Sequence, residues 1–317
     1  MLEVIFKRCS GLDVHKETIT ACIMIGDGER VTKEEIRTYS TMTEDIEKLR
    51  DWLKTEGVTH VAMESTGIYW RPVFNILEED FEILLANARH IKNVPGRKTD
   101  VQDSEWICKL LRNGLIRGSF IPPKHIRQLR DFTRYRRKIH DNIASEKNRL
   151  QKYLEDANIK LSSVATDILG ASGGKMLGEL LDGTSDAEAL SKLAVGKLRK
   201  KEEALRKSFN GRITEHHRKL VRMSLNHIEY MERSLGEIEE EIERLVGEHQ
   251  LRGAVELLDS IPGVDEEAAE AILAETGVDM GVFPSAAHIA SWAGVAPGNN
   301  ESAGKKKEGR PPMGTSG

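Results

Sequence analysis

The chain has 317 residues, of which 39% are hydrophobic and 31% are charged, and its formal net charge is −4. This amount of apolar material excludes a fully disordered chain, and at roughly 150 residues per domain the length predicts two or three domains. Three widely spaced cysteines exclude a disulfide scaffold and fit a reducing cytoplasm. We expect no membrane span and no signal peptide, because no apolar run approaches roughly 20 residues and charges interrupt the N-terminus at once.

Strand and helix patterns alternate over the first 112 residues. Residues 3–40 are rich in β-branched and apolar side chains and predict three strands, with a hairpin turn at 27–29. Helical spacing starts at Thr43, which we expect to cap a helix. The elements predicted after it are a strand at 58–65, a helix at 69–77, a strand at 81–87 and a helix at 101–112. This order predicts a mixed α/β domain over residues 1–122.

Long helices dominate the middle of the chain. Residues 124–155 predict one helix, whose apolar positions are interrupted by Arg136 and Glu146. A second long helix at 215–249 carries apolar residues in strict heptad spacing, which we call the heptad seam. The heptad seam consists of Ile228, Met231, Leu235, Ile238, Ile242 and Leu245. We therefore predict a helical, coiled-coil region over 123–250, with shorter helices between the two long ones.

The last part of the chain, residues 251–317, predicts a small α-helical domain. Two helices flank the turn SIPGV at 260–264, and a third helix is expected at 286–293. The turn resembles a helix-hairpin-helix, in which the backbone around Gly263 would face a phosphate, although a plain helical hairpin fits equally well. The remaining tail is rich in glycine, lysine and proline without apolar periodicity, and we expect it to be poorly ordered.

Four carboxylates of the first domain occupy positions that an α/β sheet can bring together. Asp13 lies inside an apolar strand, Glu64 ends a second strand, and Asp100 and Asp103 stand three residues apart at a helix start. Converging carboxylates need cations to stay ionised, and oxygen ligands suit Mg²⁺ or Mn²⁺. A pair of such ions stabilises both reacting oxygens in phosphodiester cleavage. Helix capping is the alternative for the aspartates at the helix start, whereas a charge in mid-strand is costly without a partner. His15 could assist Asp13 or simply be exposed.

Positive charge concentrates in two segments. Residues 124–152 hold ten Lys and Arg against three Asp and Glu. Five of these residues form a stripe at three- and four-residue spacing: Arg127, Arg130, Arg134, Arg137 and Lys138. Such a basic stripe tracks the phosphates of a nucleic acid, although a solvated charged face fits as well. Arg97 and Lys98 extend the basic surface toward Asp100.

A single serine stands out in the tail. Ser302 lies in NNESAGKKK, next to Lys305 and Lys306. A serine attacks a phosphodiester when a base takes its proton and the phosphate charge is neutralised. No base is evident beside it in the sequence, so the residues alone leave Ser302 either an ordinary tail serine or a nucleophile.

Five segments, taken in order, resemble the DEDD transposases of insertion sequences over about residues 10–308. They are GLDVHKE, AMESTGIYW, KTDVQDSEWI, IPGV and APGNNESAGK. The resemblance implies a RuvC-like, ribonuclease-H-like N-terminal domain, a coiled-coil region and a C-terminal transposase domain. It implies that Asp13, Glu64, Asp100 and Asp103 bind Mg²⁺. It also implies that Ser302 attacks DNA and forms a phosphoserine intermediate.

The resemblance further implies partners for the chain. In this family the acidic site of one subunit meets the serine of another, which would make the segment 220–245 a dimerisation element of a dimer or tetramer. The family also uses a structured noncoding RNA that pairs with donor and target DNA, so the resemblance implies such an RNA as a partner. The residues expected to contact DNA or RNA are Arg97, Lys98, Arg127, Arg130, Arg134, Arg137, Lys138, Gly263, Lys305 and Lys306.

The end of the chain departs from the family pattern. Family members continue past the serine with further helices, whereas this sequence ends in GKKKEGRPPMGTSG, so we expect a truncated domain whose serine lacks support. Three interpretations stay open: an Mg²⁺-dependent recombinase that excises and inserts a mobile element, a plain metal-dependent junction nuclease, and a truncated, non-catalytic regulator that binds nucleic acid. A sugar-kinase-like fold is disfavoured because the sequence has no phosphate-cradling glycine loop.

Overall fold

The computed structural model describes residues 4–28, 30–65, 67–87, 91 and 102–295, together with the backbone of 301–302 and 305–306. The chain divides into two compact units, one formed by Met1–Ile121 with Gly281–Gly317 and the other by Pro122–Met280. None of the helices within the described ranges combines the length and apolarity that a bilayer crossing requires.

A mixed five-stranded sheet forms the centre of the first unit. Its strands are β1 (Arg8–Val14), β2 (Thr18–Ile25), β3 (Lys33–Ser40), β4 (His60–Glu64) and β5 (Glu82–Ala86), in the order β3-β2-β1-β4-β5. The first three strands pair antiparallel, and β4 and β5 extend the sheet in parallel from β1. The five strands predicted along the chain are present, and the sheet is mixed. The first strand begins later than predicted because the N–H groups of Ile5 and Phe6 donate to the Arg112 carbonyl instead of to a neighbouring strand.

Helices cover both faces of this sheet. They are α1 (Thr43–Thr55), α2 (Trp70–Leu77) and α3 (Asp103–Arg112). The first two pack on one face and α3 packs on the other, because alternate side chains of each strand point to opposite faces. The predicted cap at Thr43 is wrong by one residue. Met42 is the N-cap, and its N–H donates to the Ser40 hydroxyl at 3.2 Å.

The backbone of α3 lies very close to β1 because the strand has a glycine where the two cross. A Cβ atom built on Gly11 would lie 2.3 Å from the Cys108 backbone nitrogen and 2.4 Å from the Ser104 carbonyl oxygen. Next to the crossing, Cys9 and Cys108 are buried with their sulfur atoms 3.8 Å apart, too far for a disulfide. All three cysteines of the chain are buried free thiols, which agrees with the exclusion of a disulfide scaffold.

Two long antiparallel helices organise the second unit. Its helices are α4 (Lys124–Asp156), α5 (Ala171–Leu181), α6 (Ala187–Ser191), α7 (Glu202–Ser208), α8 (Glu215–Glu248), α9 (Arg252–Asp259) and α10 (Glu266–Thr276). At one end of the long pair the His125 ring stacks on His249 at 4.5 Å, and at the other His217 Nε2 lies 2.9 Å from Asp156 Oδ2. The predicted long helices and the helical hairpin of α9 and α10 are therefore present.

The heptad seam of α8 is used inside the chain. Five of its six residues are buried and Leu235 is partly buried, in an apolar cluster that α8 shares with α4. The heptad pattern predicted a packing partner correctly but did not identify it. The heptad seam itself is therefore covered within one chain and could meet a second chain only if α4 and α8 separated.

A buried ion pair joins α10 to α4. Arg136 Nη1 lies 2.6 Å from Glu270 Oε2, and each side chain is only 7% exposed. Arg136 also donates to the Glu267 carbonyl at 3.0 Å. The other charged interruption of the α4 apolar face, Glu146, is buried too and accepts a hydrogen bond from Arg149 at 2.7 Å. Both interruptions are thus ion-paired.

The C-terminal part of the first unit begins with α11 (Ala286–Trp292), at the position predicted for a third helix. Phe283 and Trp292 form an aromatic cluster with Phe120, with ring centroids 5.3–6.2 Å apart. Farther along, β6 (Glu301–Ser302) and β7 (Lys305–Lys306) pair antiparallel. The rest of the tail, which the sequence predicted to be poorly ordered, lies outside the described residues.

Gly11→Ala should lower the free energy of unfolding by about 3 kcal/mol, because the new Cβ would displace the α3 backbone. Gly236→Ala is the matched control. A Cβ there meets no atom within 4 Å, and alanine favours a helix by up to about 1 kcal/mol over glycine. Urea denaturation followed by circular dichroism measures both variants, and a Gly11→Ala midpoint equal to that of wild type would contradict the close crossing.

Arg136→Met should destabilise the protein at neutral pH by about 3 kcal/mol, because Glu270 would remain buried without its cation. Burial already raises the pKa of Glu270, with Arg136 opposing the shift, so removing the arginine raises it further. A carboxyl with a raised folded-state pKa contributes full stability below its unfolded pKa and loses it as pH rises through the folded pKa.

The loss of stability in Arg136→Met, relative to wild type, should consequently shrink as pH falls toward the ordinary glutamate pKa of about 4.3. Arg137→Met, at a side chain that is 81% exposed, is the control and should change little at any pH. Thermal unfolding of both variants across this pH range measures the effect. A deficit that is constant or grows toward acid pH would show that the ion pair is not the cause.

Candidate active site

Two acidic residues lie at the same edge of the sheet. In the parallel pair of β1 and β4, Leu12 is opposite Met63. Asp13 and Glu64 are the next residues on their strands, so they occupy matching positions toward the carboxyl ends. Ligands of open α/β sheets bind at this edge because the strand ends leave polar groups uncovered there. Glu64 is paired on its other side with Ala86 of β5.

The helix α3 adds a third carboxylate. Gly11 and Asp13 lie on the same face of β1, since side chains alternate along a strand. Ser104 of α3 is packed directly on Gly11, and Asp103 is the residue before it, the first of the helix. The close crossing therefore carries Asp103 toward Asp13. Asp13, Glu64 and Asp103 are called the acidic cluster below.

The acidic cluster is electrostatically coupled. Burial is the main cause that raises the pKa of Asp13, and repulsion from Asp103 and Glu64 adds to it. His15 opposes the shift, because its Nε2 atom lies 3.1 Å from Asp13 Oδ2. The side chain of Asp13 is only 24% exposed, whereas that of His15 is 66% exposed. Asp13 thus interacts electrostatically with both other carboxylates in the folded protein.

The donor chemistry of the acidic cluster fits a divalent cation. Carboxylate oxygens are the ligands that Mg²⁺ and Mn²⁺ prefer, and a cation would relieve the repulsion that raises the pKa of Asp13. Within the described ranges, no three His, Cys, Asp or Glu side chains already stand at metal-binding distances. The fourth predicted ligand, Asp100, lies outside the described residues, as do Arg97 and Lys98.

The serine and its neighbouring lysines are described by their backbone alone. Ser302 is opposite Lys305, and Glu301 is opposite Lys306, across the β6–β7 pair. This short ladder belongs to the same compact unit as the acidic cluster.

Two arginines of the predicted basic stripe bind the end of α10. Arg130 donates to the Ala274 carbonyl at 3.0 Å and to the Glu275 carbonyl at 2.8 Å. Arg134 Nε lies 2.7 Å from the Glu275 carboxylate. The last carbonyls of a helix lack intrahelical partners and carry partial negative charge, so a guanidinium there stabilises the helix end. Part of the stripe is therefore engaged within the second unit.

The remaining three residues of the stripe differ in their surroundings. Arg127 donates to the Pro122 carbonyl at 3.1 Å. Arg137 lies 3.4 Å from Asp141, with both side chains mostly exposed, and Lys138 is exposed. These last two basic residues remain at the surface, where a phosphate could reach them.

The turn of the α9–α10 hairpin has one feature that suits phosphate binding and others that oppose it. Gly263 adopts φ +88°, and a Cβ there would meet nothing within 4 Å. The following Asp265 already caps α10 by accepting from the Ala268 N–H at 2.9 Å. The first turn of α10 is acidic, so it repels a phosphate at this helix start.

The sequence contains another basic segment that we did not single out. The 3₁₀ turn Gly196–Lys201 exposes Lys197, Arg199 and Lys200. These three have no ion pair with an acid among the described residues. The signal was visible as the run KLRKK, which is short but has no interleaved acid.

Asp13→Asn should be at least as stable as wild type at neutral pH without metal, because it removes a charge that burial and two carboxylates disfavour. The raised pKa of Asp13 means that its ionised form costs stability as pH rises through that pKa, and the amide avoids this cost.

Mn²⁺ should raise the melting temperature of wild type and not that of Asp13→Asn, since a ligand stabilises only a protein that binds it. Asp27→Asn, at a side chain that is 91% exposed, should respond to Mn²⁺ as wild type does. Thermal scans with and without the ion measure this, and an equal shift in Asp13→Asn would remove Asp13 from the metal site.

Comparison with known proteins identifies the chain at both ends. A family model described as a transposase, of the DEDD type of IS110, matches residues 10–159. A second, described as the transposase IS116/IS110/IS902 family, matches residues 255–316. The chain is also 29% identical over 156 residues to the transposase for insertion sequence element IS1533 of Leptospira borgpetersenii. That alignment covers 48% of this chain and 44% of the relative, so the match spans less than half of the relative's length.

These matches agree with the geometry. The first matched region holds the five-stranded mixed sheet and the acidic cluster, an arrangement that fits a ribonuclease-H-like domain. The second begins in α9 and includes the serine and its lysines. The chain belongs to the IS110 family of insertion-sequence transposases.

Proposed function

We propose that this protein is a DNA transposase that excises and inserts an insertion sequence by cutting and rejoining DNA strands. The observation that carries the proposal is the convergence of Asp13, Glu64 and Asp103 at one sheet edge, in a chain whose two ends match transposase models. Carboxylates that disfavour the ionisation of a buried neighbour, as Asp103 and Glu64 do for Asp13, are typical of sites that hold cations against a phosphate.

The acidic cluster, with Asp100, would hold Mg²⁺ or Mn²⁺. A bound ion of this kind neutralises phosphate charge and stabilises the reacting oxygens. Asp13 and Glu64 are held by paired strands and Asp103 by a helix start, so their positions change little when DNA arrives. His15 orients the Asp13 carboxylate through the hydrogen bond from its ring.

Ser302 would be the nucleophile. Its hydroxyl oxygen forms a bond to the phosphorus of the scissile phosphodiester, and the bond from phosphorus to one bridging sugar oxygen breaks. The hydroxyl proton goes to a base, and the leaving sugar oxygen takes a proton from water, so the product is a phosphoserine link and a free DNA hydroxyl. The reverse attack by a DNA hydroxyl would rejoin strands and release the serine.

Exposed basic residues would supply the nucleic-acid contacts. Arg137 and Lys138 on α4 and the Gly196–Lys201 turn keep their charge at the surface of the second unit. Lys305 and Lys306 follow the serine closely in the sequence. A structured guide RNA that bridges donor and target DNA fits this distribution of charge, and the family resemblance implies it. A dimer or tetramer would be held by surfaces other than the heptad seam.

The test is a covalent adduct between protein and DNA. Purified protein, Mg²⁺, labelled element-end DNA and the RNA transcribed beside the gene should give a slow-migrating labelled band on a denaturing gel. Ser302→Ala and Asp13→Ala should each lose it, at least 100-fold, because one removes the attacking oxygen and the other a metal ligand. Ser291→Ala, which removes an exposed hydroxyl from α11, should keep the band.

The alternatives give different gels. A metal-dependent nuclease, in which the serine takes no part, would release free cleaved DNA. That product would persist in Ser302→Ala and be lost in Asp13→Ala. Retarded but uncut DNA in every sample, including wild type with Mn²⁺, would refute a catalytic role and leave a nucleic-acid-binding protein.

A further inference from the structure

Two large apolar side chains stand exposed directly after the acidic strand end. Ile68 is 63% exposed and Tyr69 is 42% exposed, and both lie between Glu64 at the end of β4 and the first residue of α2. Isolated exposed apolar residues are common on protein surfaces. This pair differs because it is contiguous and lies within five residues of a carboxylate of the acidic cluster.

The fold explains why these two side chains point outward. The helix α2 is anchored by Val73, Phe74 and Leu77, which are buried, and by Trp70, whose ring packs edge-on to Phe74 at 5.7 Å. The helix therefore has its core contacts without the two residues that precede it. The backbone also holds them in place, since the Arg71 N–H donates to the Ile68 carbonyl at 3.2 Å.

Gly67 directly precedes the pair. Gly67 adopts φ +61°, a conformation that favours glycine, and a Cβ there would lie 3.8 Å from the Tyr69 ring. The ring therefore stands close to Gly67, and the Tyr69 side chain remains 42% exposed. A ring held in this way loses little freedom when another flat group stacks on it.

The start of α2 has no group that would repel a phosphate. Its first turn contains no acidic residue, its N-cap Tyr69 makes no side-chain cap, and Arg71 is exposed there. A helix start carries partial positive charge, so a phosphate next to Tyr69 is favoured. An exposed aromatic face close to a helix start matches one nucleotide, whose base would stack on the ring.

We propose that Ile68 and Tyr69 form a stacking platform for an unpaired DNA base next to the phosphate on which the acidic cluster acts. This inference rests on the proposed function, because the acidic cluster places the scissile phosphate at this edge. Strand exchange leaves bases unpaired at the point of cleavage, and an exposed flat base gains by stacking on an aromatic ring. The platform holds the cut strand in register with the carboxylates and keeps its base from re-pairing.

The experiment uses photo-crosslinking, which needs binding and not cleavage. The probe is a synthetic four-way DNA junction with 5-iodouracil at the branch, mixed with the full chain in the absence of divalent ions and irradiated. Wild type should crosslink, and peptide mapping should place the adduct at Tyr69. Tyr69→Ala should lose the crosslink and bind the junction roughly tenfold more weakly, since aromatic stacking on a base is lost.

Two further variants separate stacking from general damage. Tyr69→Phe keeps the ring and should retain both the crosslink and the affinity. Tyr230→Ala removes a tyrosine that is 61% exposed on α8 and should behave as wild type. If Tyr69→Ala unfolds, Ile68→Ser provides the same comparison and should lower the crosslink yield at Tyr69 severalfold.

The outcomes are distinct from those of the adduct assay. A Tyr69→Ala variant with wild-type crosslinking and affinity, a Tyr69→Phe variant as defective as Tyr69→Ala, or a wild-type crosslink mapped elsewhere would overturn the platform. Absence of a Ser302 adduct with a normal Tyr69 crosslink would refute the serine chemistry and leave the platform standing. A wild type that does not bind the junction would overturn the platform as well.

Discussion

The crossing of α3 over β1 at Gly11 is the contact on which the rest of the candidate site depends. Because glycine has no Cβ, the helix backbone at Ser104 and Cys108 can touch the strand directly. Asp103 precedes Ser104 on the helix, and Asp13 follows Gly11 on the same face of the strand, so a single contact brings both carboxylates together. Parallel pairing adds Glu64 at the matching position of β4. The acids meet through backbone geometry, which holds catalytic groups more firmly than loops do.

Positive charge in the second unit has two separate uses. Arg130, Arg134 and Arg136 bind the carbonyls and carboxylates of α10 and so stabilise the helical hairpin. The basic residues at 137–138 and 196–201 keep their charge at the surface. A guanidinium matches a helix-end carbonyl pair or a carboxylate as well as it matches a phosphate, so a local excess of arginine does not by itself indicate a nucleic-acid surface.

The sequence predicted the elements of the fold well and their partners less well. Strand runs, helical spacing and the heptad seam are local properties, and the observed β1–β5, α4 and α8 follow them. The cap at Thr43 was misplaced by one residue, since the N-cap is Met42 and no side chain caps the helix. Arg136 looked like a defect in an apolar face because its partner Glu270 lies on another helix, whereas Arg149, the partner of Glu146, lies three residues farther along the same helix.

The sequence by itself determined which chemistry-bearing residues are present, the order of strands and helices, and the resemblance to the transposase family. Only the tertiary structure decided that Glu64 and Asp103 act on Asp13, that the heptad seam is covered by α4 of the same chain, and that Arg136 is paired with Glu270. The physical reason is separation along the chain. Arg136 and Glu270 are 134 positions apart, and contacts across such distances depend on how whole elements pack. Local periodicity shows that a face must be buried, and the packing of the entire unit selects what buries it.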